Sequence, residues 1–204
     1  MHKYINIIEN NKIKTKHAII DKIGKSIMNN KITHEVFTDG SCKNNNRKST
    51  KSIAGYGVFW GDNDQRNLAK PFKLKPLTNN RAELYAIYMA IKTLSLTPLM
   101  KKTTNTLIIY SDSKYCIDTL TSYIKSWKKR GWKKSNGKTP LNLDLICKID
   151  DLSIENIGKF SIKYIHVRAH KSAPKNKRSI EYYKWYGNNQ ADKFAVNGRN
   201  KSYK

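Results

Sequence analysis

The stretch THEVFTDGS, residues 33–41, decides how this chain is read. It runs as a β-branched and aromatic strand and stops on an aspartate followed by two small residues. A second run of the same form, TLIIYSDS at 106–113, also breaks off on an aspartate. A carboxylate leaving a buried strand is destabilising unless a cation or a proton neutralises it. Both acids belong to a chain of 204 residues with 40 Lys and Arg against 15 Asp and Glu, a formal net charge of +25. The question is which cation faces them.

The length suits one domain plus an extension. A charge surplus of this size attracts polyanions by long-range steering and counterion release, which points to nucleic acid. A basic ribosomal or structural protein would carry the same charge, and the abundance of Lys, Asn and Ile also reads as the codon bias of an AT-rich genome. Cys42, Cys116 and Cys147 are widely spaced with no C-x-x-C pair, so neither a zinc site nor a disulfide framework is indicated and a reduced compartment is expected. No apolar run approaches the ~20 residues that span a bilayer. The start, MHKYINIIENNKIK, lacks the apolar core of a secretory signal. A soluble intracellular protein, cytoplasmic or nuclear, is expected, with no membrane partner.

Residues 1–33 read as a basic extension, with one weak helical pattern at Ile19, Ile20, Ile23 and Ile27. After THEVFTDGS, IAGYGVFWGDN is a second strand ending in a turn and QRNLAKPF a third, a meander by their short links. NNRAELYAIYMAIKTL is helical, TNTLIIYSDS a strand, and SKYCIDTLTSYIKSW helical again. A basic aromatic stretch precedes a short helix, LNLDLICKIDDL, then a strand, KFSIKYIHV, a polar loop, and a last helix, GNNQADKFAVNG. This order predicts an α/β domain over 34–198, a mixed sheet with helices on its faces, and a short tail at 199–204.

Glu83 lies four, seven, eight and eleven residues before Ile87, Ala90, Ile91 and Leu94, so it shares the apolar stripe that faces the sheet. Asp192 precedes Ala195 and Val196 in the same way. Asp39, Glu83, Asp112 and Asp192 can therefore converge at one end of the central strands. Each acid also has a simpler reading: Asn80-x-x-Glu83 as a capping box, Asp112 as an N-cap, Asp39 as a turn former, Asp192 as a solvated helix acid. Four like charges at one sheet end repel unless protons or a hard cation neutralise them, and an all-oxygen donor set favours Mg²⁺ or Mn²⁺.

The motifs TDGS, TNNRAEL, YSDS and GNNQAD, in this order and with WKKRGWK between the last two, resemble type 1 ribonuclease H, over about residues 32–198. The resemblance implies a five-stranded mixed sheet in order 3-2-1-4-5 with helices on both faces. It implies endonucleolytic hydrolysis of the RNA strand of an RNA–DNA hybrid by a monomer, leaving 5′-phosphate and 3′-hydroxyl ends. Two Mg²⁺ ions, replaceable by Mn²⁺, would be held by Asp39, Glu83, Asp112 and Asp192, Asp39 bridging both; such a pair activates water and stabilises the leaving oxygen. His170, in HVRAHK, matches a mobile histidine that assists proton transfer or product release, whereas His166 is expected to be structural. The family usually passes from this histidine to the Gly-Asn of the last helix in about half a dozen residues; here KSAPKNKRSIEYYKWY intervenes, either as an added grip on nucleic acid or as packing on the domain.

By the same resemblance, Cys42, Asn45, Asn79 and Asn80 approach the RNA strand and its 2′-hydroxyls. Thr78 and Asn142 fall on a pocket for a DNA phosphate, with Pro76 where an arginine is often found, and Tyr115 on an aromatic that packs on a deoxyribose. Trp127 and Trp132 belong to a basic protrusion whose rings line a channel on the DNA strand, while Lys128, Lys129, Arg130, Lys133 and Lys134 attract phosphates. The alternatives are a binding protein of the same fold that has lost catalysis, and a strand-transfer enzyme, against which the TNNRAEL and WKKRGW motifs stand.

Overall fold

The computed structural model describes residues 31–44, 52–99, 104–169 and 172–201. Its centre is a single sheet of five strands in the order β3-β2-β1-β4-β5, formed by β1 (Lys31–Lys43), β2 (Ile53–Phe59), β3 (Leu68–Phe72), β4 (Thr104–Ser111) and β5 (Ser161–His166). The first three make the antiparallel meander, and β4 and β5 add in parallel to β1. Strand alternation sends Val36, Val58, Leu107 and Ile109 into one core and Phe37, Phe59 and Tyr110 into another on the opposite face. The mixed sheet order expected from the motifs is the one found.

The larger core is covered by α1 (Asn79–Leu96) and α4 (Leu143–Glu155). On α1 the stripe Glu83, Ile87, Ala90, Ile91 and Leu94 is buried as its spacing predicts. Its N-cap is Thr78, whose hydroxyl accepts from the Arg81 N–H at 3.4 Å, so the capping-box reading centred on Asn80 is replaced by a cap two residues earlier. Between these helices lie α2 (Lys114–Asp118), a π-helical turn (Thr119–Tyr123) and α3 (Ile124–Lys129). SKYCIDTLTSYIKSW is thus helical throughout, but with one wider turn at its middle.

The opposite face is covered by α5 (Ile180–Asn200), and here the expected polar loop is corrected. The helix begins seven residues before the GNNQAD motif because Ser179 caps it, its hydroxyl accepting from Tyr182 N–H at 3.1 Å, and Glu181 sits in the first turn. Tyr183 and Tyr186 fix this added length: the Tyr183 hydroxyl donates to Glu35 at 3.0 Å and the Tyr186 hydroxyl to Asp62 at 2.8 Å. The helical pattern around Ile19–Ile27 lies outside the described residues. Among the described residues no helix is long and apolar enough to cross a membrane.

Two close fits lock the frame. Gly40 lies where β1 meets the start of α1, and a Cβ there would collide with the backbone of Ala82 and Glu83. The buried Arg81 of α1 forms a two-pronged pair with Asp144 of α4, both bonds at 2.7 Å, and this pairing holds the Asp144 carboxyl below its usual range.

Gly40→Ala is expected to push α1 off the strand and lower stability by about 1–3 kcal/mol or more, read as a drop in calorimetric Tm. Asp144→Asn should cost about 2 kcal/mol, less than a wholly buried pair because Asp144 is half exposed. A carboxyl held low in the fold contributes above its unfolded pKa of ~3.9 and loses that contribution as pH falls through the folded value. The wild type's advantage over Asp144→Asn in urea melts should therefore shrink between about pH 5 and pH 2.

Candidate active site

Asp39 lies inside β1, which runs on past it to Lys43 instead of stopping on the aspartate, and its carboxylate accepts the Gly40 N–H at 2.8 Å. The glycine lets α1 come close enough to bring Glu83 alongside. Asp112, one residue past the end of β4, completes the group: one ligand atom from each of Asp39, Glu83 and Asp112 lies within 4.8 Å of the others. Asp192 of α5 lines the same cavity, of about 310 Å³. The four acids named from the sequence are thus gathered at one end of the central strands.

Neighbouring groups hold them there. The Glu83 carboxylate accepts from Asn79 Nδ2 at 2.6 Å and from the Ser113 hydroxyl. Asn79 in turn accepts the Cys42 N–H through its Oδ1 at 3.1 Å, tying strand to helix. Asp112 accepts from Asn188 Nδ2 at 3.0 Å, and its main-chain carbonyl lies 3.2 Å from His166 Nε2.

The electrostatics are those of an unneutralised acid cluster. Asp39 is 6% and Glu83 7% exposed. Burial pushes the Asp39 carboxyl well above its usual range, with repulsion from Asp112, Glu83 and Asp192 adding to it and the Gly40 N–H opposing. Glu83 is raised by burial first; the Ser113 hydrogen bond works against this and Asp112 reinforces it. A hard divalent ion fits such a site: the donors are all oxygen, burial disfavours the charged forms of Asp39 and Glu83 without a countercharge, and Asn188 Oδ1 is a buried acceptor with no partner among the described residues.

Of the residues expected to approach the RNA strand, Asn79 lines the cavity and Cys42 is joined to it, Asn80 is exposed, and Asn45 lies outside the described residues. His170 lies outside them as well. On the other side, Asn142 Nδ2 donates to the Tyr115 hydroxyl at 2.9 Å, which donates to Leu141 C=O at 3.2 Å. Asn142 has φ 61°, a left-handed conformation that asparagine tolerates well. Tyr115, Trp127, Arg130 and Lys134 share a second, shallower cavity.

The basic protrusion is less open than its sequence suggests. Trp127 is 9% exposed and belongs to the core, and Trp132 packs partly against it. Lys128 is paired with Asp150 at 2.7 Å and lies 5.9 Å from the Trp132 ring centre. Lys129, Arg130 and Lys133 are exposed.

Among the residues lining the acid cavity, Asn188, Asn189 and Arg168 stand outside the sequence reading, and Trp185 enters it only within the inserted stretch KSAPKNKRSIEYYKWY. The signal for three of them was present, since Trp185, Asn188, Asn189 and Asp192 fall at i, i+3, i+4 and i+7 on one helix.

Comparison with known proteins agrees with this architecture. A family model described as RNase H matches residues 31–200. Among curated proteins, a ribonuclease H of Schizosaccharomyces pombe is 37% identical over 80% of this chain and 52% of its own length. Human ribonuclease H1 is 32% identical over 82% and 50%, and a ribonuclease H of Pectobacterium carotovorum is 34% identical over 72% and 84%. The chain spans about half the length of the yeast and mammalian relatives. Among solved structures, a type 1 RNase H with the type 2 active-site motif aligns with TM-score 0.57 at 22% identity, covering 84% of this chain and 74% of that one. A foamy viral protease-reverse transcriptase in complex with RNA/DNA hybrid aligns with TM-score 0.57 at 20% identity, covering 81% of this chain and 20% of the other. Match, motifs and sheet order agree, and the chain belongs to the RNase H family.

Proposed function

We propose that the chain is a divalent-metal-dependent endoribonuclease that hydrolyses the RNA strand of RNA–DNA hybrids. The observation that carries this is the convergence of Asp39, Glu83 and Asp112 to within 4.8 Å, with Asp192 on the same cavity. The names of its curated relatives and the hybrid bound to the foamy viral neighbour support the choice of substrate.

In the reaction a water oxygen attacks phosphorus, the bond from phosphorus to the 3′ oxygen breaks, and a proton reaches that oxygen. The products carry 5′-phosphate and 3′-hydroxyl ends. Two Mg²⁺ ions, or Mn²⁺ in their place, would be held by Asp39, Glu83, Asp112 and Asp192 and would supply water activation and stabilisation of the leaving oxygen. The chain's own work is to fix these oxygens. Asn79 and Ser113 orient Glu83, Asn188 orients Asp112, and the Gly40 N–H orients Asp39. His170 is assigned the proton transfer or product release step. Tyr115 and Asn142, joined by their hydrogen bond, would meet the DNA strand with Thr78, while Trp132 and the exposed protrusion cations hold phosphates. The partner is a hybrid duplex and the acting species a monomer. Free Cys42, Cys116 and Cys147 suit a reduced compartment.

Incubation with labelled RNA–DNA hybrid, double-stranded RNA and double-stranded DNA should give cleavage of the hybrid's RNA strand alone, with Mg²⁺ or Mn²⁺ and not with EDTA. Asp39→Asn should bind hybrid normally while losing at least about a thousandfold in kcat, about 4 kcal/mol of barrier. Cleavage at the wild-type rate by that variant would refute the role given to Asp39.

A stability measurement tests the site without any substrate. An acid whose folded pKa is raised is penalised at high pH, and the penalty fades as pH falls through the folded value. Without metal, Asp39→Asn should therefore melt above the wild type at pH 8, with the gap closing in acid. Saturating Mg²⁺ should raise the Tm of the wild type and leave that of Asp39→Asn nearly unchanged, because an ion binding only the folded state stabilises by about 2.7 kcal/mol at 100 times its Kd.

A further inference from the structure

The cavity that holds the four acids is also lined by Arg168 and Trp185. Among the described residues Arg168, just past the end of β5, is its one cationic lining residue, and Trp185, on the added first turns of α5, is its one aromatic. They stand on the two chain segments that flank residues 170 and 171. Arg168 is exposed and forms no salt bridge among the described residues, although four carboxylates line the same cavity. Its charge is therefore available to an incoming anion.

Trp185 is placed by the helix. Tyr183 and Tyr186 turn toward the sheet, where they meet Phe37 and Phe59. Gly187 allows this seating, since a Cβ there would collide with the Phe37 ring. The same rotation carries Trp185 to the cavity side, in line with Asn188 and Asp192, and Tyr182 backs it with ring centres 5.4 Å apart. The added turns thus pack two tyrosines on the domain and set one tryptophan on the cavity.

We infer that Arg168 and Trp185 form a subsite for a ribonucleotide of the bound hybrid beside the acid cluster, Arg168 binding a phosphate oxygen and Trp185 packing on the ribose. The bases of a duplex are stacked on one another and closed to the ring, whereas sugars and phosphates are presented at its surface. A planar guanidinium suits a phosphate, and a tryptophan supplies apolar area with few rotamers to freeze. This assignment rests on the proposed function for its substrate.

The test measures binding of a labelled RNA–DNA hybrid by anisotropy in EDTA, in the Asp39→Asn chain, so that no cleavage intrudes. Trp185→Ala should weaken binding about tenfold and Trp185→Phe less than about threefold, on the scale of one aromatic–nucleotide contact. Arg168→Ala should lower the slope of log K against log[salt] by about one phosphate contact, 0.7–0.9. In the otherwise wild-type chain the same changes should raise KM for hybrid. Unchanged affinity in Trp185→Ala together with an unchanged salt slope in Arg168→Ala overturns the subsite. Should Trp185→Ala fail to fold, the salt slope of exposed Arg168→Ala decides alone. Cleavage of hybrid without these binding losses removes the subsite and leaves the nuclease reading intact; the losses without cleavage do the reverse.

Discussion

The repulsion among carboxylates where β1 passes the end of β4 is the constraint around which this molecule is arranged. Left alone, the acids would separate or take up protons, and the raised pKa of Asp39 and Glu83 records that tendency. What prevents separation is packing. Gly40 lets a strand and a helix start touch backbone to backbone, and α1 is anchored on its far side by the Arg81–Asp144 pair. The energy that brings like charges together comes from apolar burial along α1, where Ile87, Ala90, Ile91 and Leu94 are fully enclosed.

That division of labour explains what was readable in the sequence. An aspartate closing an apolar β run and a helix acid in register with an apolar stripe are patterns set by periods of 2 and 3.6, so Asp39, Glu83 and Asp112 are legible in the sequence even though β1 runs on to Lys43. Sheet order, by contrast, followed from the family resemblance, because no local pattern fixes which strands neighbour one another. The N-cap at Thr78 and the early start of α5 escaped notice for a related reason. Each depends on one hydroxyl reaching one N–H, and Ser179 in a polar run resembles any other serine. The aromatic run after Ser179 reads as loop because its partners, Glu35 and Asp62, are more than a hundred residues away.

Charge taken from composition misleads in a similar way at the protrusion. Five cations and two tryptophans read as one binding face, yet Lys128 is already paired and Trp127 serves the core. A tryptophan in a basic segment can be a hinge pin rather than a platform. The cation and ring that border the acids, Arg168 and Trp185, sit in less conspicuous surroundings.

The π-helical turn at Thr119–Tyr123 has a consequence for how this surface is aimed. A turn that closes one residue late rotates everything downstream by about 100° relative to a regular helix. Trp127, which is buried, and the exposed lysines after it lie downstream of that turn. The orientation of the protrusion is thus governed by chain length at a single point: shortening the segment by one residue would re-aim the whole arm with every side chain unaltered, a kind of change that substitution cannot mimic.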